Sequence, residues 1–118
     1  MLTAQESPLL SLTFNQDATC FSCGLEEGFR VFVTSPMGET FRRVFASGLA
    51  IVEVLNKSNL VAVVGGGSKP RYPVNKVMIW DDHLNRCIGE LVFKSPIRAV
   101  RLRRDRMVVA LLNKVRVL

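Results

Sequence analysis

Three short clusters in this sequence contain residue types that could do chemistry. In the first, the glycine run at residues 65–67 precedes Ser68 and Lys69, a composition found in phosphate-binding loops. A P-loop needs Gly-Lys-Ser/Thr at the start of a helix, and this sequence lacks that order, while Pro70 would disrupt the helix start. We therefore interpret the run as part of a long turn between two strands.

The other two clusters resemble metal or acid–base sites. Asp81 and Asp82 adjoin His83, the only histidine of the chain, but adjacent side chains on a strand point to opposite faces, and a turn is the better interpretation. Cys20 and Cys23 have a C-x-x-C spacing, yet a strand places them on opposite faces and no second pair completes a zinc site. We predict no catalytic residue, no metal and no cofactor, so the chain is predicted not to be an enzyme.

The strongest charged feature is a group of arginines that we call the basic stripe. It contains Arg98, Arg101, Arg103, Arg104 and Arg106, in a chain of formal net charge +6. On a strand, Arg101 and Arg103 share one face and Val100 and Leu102 the other, which predicts an outward-facing stripe. The stripe could meet an anionic membrane or an acidic partner. Alternatively, it only keeps an exposed strand soluble and pairs with nearby acids. Nucleic acid is not predicted, because stacking aromatics and known basic modules are missing.

The elements that carry these clusters recur along the chain. First strands are predicted at 9–14, 50–55 and 97–102, second strands at 20–25, 60–65 and 107–112, third strands at 29–32, 77–80 and 115–118, and fourth strands at 40–46 and 86–94. A period of roughly 40 to 45 residues with four strands per unit is typical of a β-propeller blade. Trp80 and Asp81 supply the Trp-Asp pair that closes a third strand in such blades.

This repeat predicts an all-β fold, a WD40-like β-propeller fragment of about two and three-quarter four-stranded blades. Residues 1–118 would form one partial propeller, with blade 1 at about 9–46, blade 2 at about 49–94 and an incomplete blade 3 at about 96–118. Because propellers close with about four to eight blades, open apolar faces and strand edges predict self-association or partial unfolding of the isolated chain. The alternative is an independent small basic β domain that binds anionic partners.

The remaining composition predicts a soluble protein in a reducing compartment. No run of about 18 apolar residues is present, and the first residues lack the pattern of a secretory signal. Three cysteines, an odd number, do not suggest a disulfide framework.

Several segments indicate a protein family. Taken together, in their order and at their spacing, they indicate it more specifically than any one of them alone. They are residues 14–17, 28–32, 54–55, 63–67 with Pro70 and Pro73, 75–82, and 100–106. Together they resemble the opening blades of the PROPPIN family, the WIPI-like, autophagy-related β-propellers. The resemblance implies a seven-bladed parent that binds phosphatidylinositol 3-phosphate and recruits a lipid-transfer partner during autophagosome formation. It also implies a cytoplasmic protein peripheral to pre-autophagosomal or endosomal/vacuolar membranes.

The resemblance also implies that the family's lipid site lies outside this chain. That site uses the two arginines of a Phe/Leu-Arg-Arg-Gly motif in later blades, and arginine suits it because its planar fork holds a phosphate through two hydrogen bonds. The similar segment at 41–44, Phe-Arg-Arg-Val, lies in the first blade and has Val44 in place of glycine. We interpret it as an ordinary outer strand and predict no lipid-binding residue in this chain.

The long loop at residues 68–75 is the predicted partner-binding segment. In the family, an early-blade face recruits the partner, and exposed loops on rigid sheets often carry recognition. This predicts contacts by Lys69, Arg71 and Tyr72. The alternative is that Pro70 and Pro73 only stiffen a long hairpin connection.

Overall fold

The computed structural model describes residues 8–56, 58–68 and 70–118, and all regular secondary structure in them is β. The strands are β1 (Leu9–Phe14), β2 (Cys20–Leu25), β3 (Gly28–Thr34), β4 (Met37–Val44), β5 (Leu49–Val54), β6 (Leu60–Gly65), β7 (Lys76–Asp81), β8 (Arg86–Val92), β9 (Ala99–Arg103), β10 (Arg106–Ala110) and β11 (Val115–Val117). The all-β prediction is confirmed. Nothing in the described ranges has the helical length and apolar character of a membrane-spanning helix.

The strands form three antiparallel sheets, each a simple meander. Their orders are β1-β2-β3-β4, β5-β6-β7-β8 and β11-β10-β9. Strands that follow one another in sequence therefore pair with one another, as in the blades of a propeller. The predicted partial propeller is confirmed, while the predicted blade limits stay a prediction.

The first two sheets repeat each other in detail. The pairing of the first strand with the second shifts between Leu9 and Ser11 in one sheet and between Leu49 and Ile51 in the other. The pairing of the third strand with the fourth shifts between residues 31 and 32 in one sheet and between 79 and 80 in the other. Since bulges set the local twist of a strand, the two sheets are equivalent repeats of one unit.

The two largest parts of the core are apolar layers between neighbouring sheets, and a smaller cluster of Cys23, Leu25 and Phe32 lies on the first sheet. The layer between the first and second sheets contains Phe29, Val31, Leu49, Val52, Val54, Val61, Val63 and Met78. The layer between the second and third contains Ala62, Val64, Val77, Ile97, Val100, Leu102 and Val109. Strand β6 serves both layers, because its alternating side chains point to opposite faces. Each fully buried valine contributes about 1.5–3 kcal/mol relative to exposure.

Apolar side chains are exposed on the outer faces of the first and third sheets. Leu12 and Phe14 on β1 are about half exposed, and so are Val115 and Val117 on β11. Apolar surface of this kind, combined with strand edges, favours association with another surface. Self-association of the isolated chain stays a prediction.

Candidate functional site

The basic stripe lies on the hairpin formed by β9 and β10. Val100 and Leu102 are buried in the layer against the second sheet, while Arg101 and Arg103 are exposed. This alternation is the one expected from the sequence. Arg104 then belongs to the two-residue turn between the strands, and the stripe reaches solvent at the end of the hairpin.

Cations in this hairpin outnumber the acids that could pair with them. Arg103 is the direct cross-strand neighbour of Arg106, and like charges in that position repel. Arg106 has an ion pair with the adjacent Asp105, at 3.7 Å between Nη2 and Oδ2. Within the described ranges, Arg98, Arg103 and Arg104 have no ion pair. The stripe therefore carries more positive charge than its own acids neutralise.

The turns that join first and second strands meet at the same end of the three sheets, and Gln16 links them. Its Nε2 donates to the Leu102 carbonyl at 2.6 Å and to the Val54 carbonyl at 3.3 Å. Its Oε1 accepts from the Asn56 backbone N–H at 2.7 Å. Asn15 adds a hydrogen bond from Nδ2 to the Asn56 carbonyl at 2.8 Å. One side chain thus fixes the stripe's hairpin relative to both preceding sheets.

A cavity of about 680 Å³ opens beside these turns. Its lining residues are Phe14, Asn15, Gln16, Glu53, Asn56, Arg101, Leu102, Arg103, Arg104 and Asp105. Glu53, on β5, is 3% exposed, and its Oε2 has no hydrogen-bond partner in the described part of the chain. Arg101 Nη1 lies 3.7 Å from that oxygen. Burial raises the pKa of Glu53 to about 7, and the Arg101 charge partly opposes this rise.

The predicted partner loop lies at the opposite end of the second sheet, since it follows β6 rather than preceding it. Lys69 lies outside the described residues. Arg71 is exposed, and its backbone N–H donates to Ser47 Oγ at 2.8 Å. Tyr72 is half-buried and meets Phe45 edge to face, with ring centroids 6.2 Å apart. The structure therefore does not bring this loop together with the basic stripe, and its partner-binding role stays a prediction.

The glycine run extends the β5–β6 pairing of the second sheet and then contacts the first sheet. The Gly66 backbone N–H donates to the Gly48 carbonyl at 3.1 Å, and the Ser68 N–H donates to the Glu26 carboxylate at 3.0 and 3.1 Å. A Cβ on Gly48 would overlap the Gly66 carbonyl oxygen, and a Cβ on Gly66 would overlap Ala50. Glycine is therefore needed for close backbone packing at this end of the β5–β6 pair, which agrees with the interpretation of the run as a turn.

The Phe-Arg-Arg-Val segment lies on β4, and both of its arginines face acids. Arg42 Nε donates to Glu39 Oε2 at 2.6 Å. Arg43 Nε lies 2.7 Å from Asp82 Oδ1, a contact between the first and second sheets. Both arginines of this outer strand therefore form ion pairs within the chain. The predicted lack of a lipid-binding residue in the chain itself stays a prediction.

The carboxylates beside the histidine have structural contacts. Asp81 Oδ1 accepts from the His83 and Leu84 backbone N–H groups at 2.9 and 3.2 Å, which closes a turn. Asp82 Oδ1 accepts from Trp80 Nε1 at 3.1 Å. These contacts agree with the interpretation of the cluster as a turn.

The cysteines of the C-x-x-C spacing are both buried and free. Burial raises the pKa of the Cys23 thiol, and the charge of Arg30 partly opposes this. In the part of the chain that the structure describes, no three His, Cys, Asp or Glu side chains group as metal ligands.

Sequence reasoning found the stripe but missed Glu53 and Gln16. Glu53 alternates with Val52 and Val54, a pattern that normally indicates a solvent-facing acid. It is buried because the third sheet covers the other face of β5. The contacts of Gln16 span up to 86 residues of sequence and have no local signal.

Comparison with protein-family models finds no match. Among curated proteins, the chain is 46% identical over 114 residues to SVP1-like protein 2 of Pichia angusta, covering 95% of this chain and 32% of the relative. It is 39% identical over 117 residues to SVP1-like protein 2 of Saccharomyces cerevisiae, covering 92% and 26%. The chain thus spans about a third or less of the length of these relatives.

Solved structures share the fold. Hsv2 of Kluyveromyces marxianus superposes with a TM-score of 0.84 at 24% identity, over 95% of this chain and 35% of that one. KlAtg21, solved as a complex with the coiled coil of AgAtg16, gives 0.77 at 29% identity, over 93% and 36%. The β-propeller domain of Cps50 (Swd1) from Myceliophthora thermophila gives 0.64 at 14% identity, over 96% and 35%. The architecture is therefore that of a propeller segment.

Proposed function

We propose that this chain, which is related to the PROPPIN family of autophagy-related β-propellers, docks an acidic protein partner through its basic stripe. The full propeller would be a phosphoinositide effector scaffold. It would bind phosphatidylinositol 3-phosphate through blades outside this chain, at pre-autophagosomal or endosomal/vacuolar membranes, and would recruit a lipid-transfer protein there. The chain itself would supply protein contacts rather than the lipid site.

The uncompensated charge of the hairpin is the observation that carries this proposal. Arg103 and Arg106 oppose each other across the two strands, and Arg104 projects from the turn without an acid in the described ranges. An acidic partner would relieve this repulsion and add charge-assisted hydrogen bonds, for which arginine is well suited. Such charges steer association and fix the choice of partner.

Two further observations support a protein partner. The hairpin is held by Gln16 and by the apolar layer beneath it, so its arginines project from a fixed scaffold. The related KlAtg21 was solved in complex with a protein partner, the coiled coil of AgAtg16. The arginines of β4 support the absence of a lipid site in this chain, because Glu39 and Asp82 already hold them.

A charge-reversal experiment tests the proposal against the loop prediction. Affinity for the AgAtg16 coiled coil is measured by calorimetry for the chain, for Arg103→Glu/Arg104→Glu and for Arg71→Glu. The double variant is expected to bind at least about tenfold more weakly, because it places like charges at the contact. Arg71→Glu, an exposed change at the other end of the sheet, is expected to bind as the parent chain does.

Three results would reject the stripe as the docking surface. The first is that the unsubstituted chain does not bind the coiled coil. The second is that the double variant and the unsubstituted chain bind with equal affinity. The third is that only Arg71→Glu loses affinity. The last result would instead support the loop at 68–75. Thermal melts of all three proteins show whether a loss of binding reflects a loss of folding.

A further inference from the structure

Arg101 is the stripe arginine that also contacts a buried acid. Its Nη1 lies 3.7 Å from Glu53 Oε2 and donates to the Val100 carbonyl at 2.9 Å. The Arg101 side chain is 64% exposed, whereas that of Glu53 is 4% exposed. The guanidinium thus lies at the boundary between a buried carboxylate and the surface where a partner would dock.

The other charged groups near this pair lie on the side of the third sheet. Glu53 is paired with Ala62 on β6, and neither β6 nor β1 contains an ionisable side chain. On β2 the only titratable groups are two cysteines, and the one cation of β3, Arg30, lies 3.8 Å from Glu39. On the side of the third sheet, the cavity receives Arg103, Arg104 and Asp105 besides Arg101. Arg101 is therefore the cation to which Glu53 responds most directly.

We propose that Glu53 controls the availability of Arg101, so that partner binding weakens when this carboxylate ionises and strengthens when it is protonated. The proposal rests on the proposed docking role of the basic stripe and adds its regulation. Ionised Glu53 attracts the guanidinium and engages part of the charge that a partner would use. Protonated Glu53 is neutral and leaves Arg101 to the partner.

The direction and range of the response follow from the site. Burial raises the pKa of Glu53 to about 7, which makes the carboxyl mostly protonated at pH 6 and mostly ionised at pH 8. Affinity for an acidic partner should therefore rise as the pH falls through neutrality. One partly exposed charge pair changes affinity by about two- to fivefold.

The experiment measures affinity of the full chain for the AgAtg16 coiled coil at pH 6 and pH 8 and constant ionic strength. The parent chain is expected to bind about two- to fivefold more tightly at pH 6. Glu53→Gln should bind with the pH 6 affinity at both pH values. Arg101→Gln should have the weaker affinity at both.

Controls separate this response from others. His83→Gln removes the only histidine of the chain and should keep the full pH dependence. Titration of the coiled coil itself would change the affinity equally in Glu53→Gln, so the difference between the parent and this variant isolates Glu53. If melts show that Glu53→Gln is unfolded, Arg101→Gln, a change at an exposed side chain, decides the question.

The outcomes also separate this proposal from the docking role. Equal parent affinities at pH 6 and pH 8, or an undiminished shift in Glu53→Gln or Arg101→Gln, would overturn the regulation by Glu53. Docking through the stripe would still stand if Arg103→Glu/Arg104→Glu had lost affinity. If the double variant binds as tightly as the unsubstituted chain, the docking proposal is rejected, and the regulation by Glu53 that rests on it is rejected as well.

Discussion

The glycine loop at residues 65–73 and the arginine hairpin formed by β9 and β10 lie at opposite ends of the sheets and differ in how far contacts within the chain already use their polar groups. The loop contains three glycines and two prolines, a composition typical of a free loop. In its described part, however, Ser68, Arg71 and Tyr72 contact the first sheet and the segment that follows β4. The hairpin at 99–110 reads as an ordinary strand pair with a solvated face. It carries the charges that its surroundings leave unneutralised.

Irregular sequence and free surface are therefore separate properties of this chain. Glycine is required at 48 and 66 because a Cβ at Gly48 would overlap the Gly66 carbonyl oxygen and a Cβ at Gly66 would overlap Ala50. In the hairpin the backbone is regular, and alternation sends arginines outward whatever their neighbours are. The docking proposal therefore rests on unpaired charge rather than on loop length.

The largest expected effect comes from breaking the glycine contact that extends the β5–β6 pairing. Gly48→Ala places a Cβ against the Gly66 carbonyl oxygen, which belongs to backbone and cannot rotate away. We expect a loss of about 3 kcal/mol and a fall of roughly 10 °C in the melting temperature. Thermal unfolding followed by circular dichroism measures it.

Gly38→Ala is the matched control for this change. A Cβ at Gly38, on β4, meets no atom within 4 Å, so stability should change by less than about 0.5 kcal/mol. Equal melting temperatures for the two variants would mean that the glycine loop is not held as described, and the contrast with the hairpin would disappear.

Much of the fold could be predicted because local sequence patterns, the alternation of apolar residues and the turn residues, determine the strands. The predicted bounds of β1, β2 and β6 coincide with the observed ones, since alternation and turn residues define them. Ile97 was predicted to open a strand, but its N–H donates to the Val74 carbonyl and its side chain joins the core before β9 begins. That error arose from a contact between sheets, which the local pattern does not contain.

The candidate site also contains some residues whose position could be predicted from the sequence and others whose position could not. The outward direction of Arg101 and Arg103 follows from the period of a strand and was predictable. The burial of Glu53 and the three-sheet contacts of Gln16 depend on how neighbouring sheets pack, and single-sequence reasoning has no access to that arrangement. Tyr72 was predicted to contact a partner. Its ring also packs on Phe45 within the chain, a contact that the local sequence does not indicate, and its partner-binding role stays a prediction.

An intermediate effect is expected from removing the link at the hairpin end. Gln16→Ala deletes hydrogen bonds to the Leu102 carbonyl and the Asn56 N–H. Each such bond contributes about 0.5–1.5 kcal/mol net, so the partly solvated pair should give a loss of about 1–2 kcal/mol in urea unfolding. Thr40→Ala, an exposed change on β4, serves as the control. A loss no greater than that of the control would show that the three turns are joined by other contacts.

The smallest effect concerns the repulsion within the hairpin itself, and its sign is the informative part. Arg103→Gln removes one of two like charges that oppose each other across β9 and β10, so the chain should become more stable by about 0.5 kcal/mol. Arg98→Gln lowers the net charge equally but lies before β9 and opposes no arginine, so its stability should stay unchanged. The difference between the two should shrink in high salt, because exposed charges are screened. Urea unfolding at low and high salt measures both variants. A destabilised Arg103→Gln would mean that Arg103 makes a favourable contact within the chain, and the hairpin would then resemble the glycine loop, with its polar groups already used for folding.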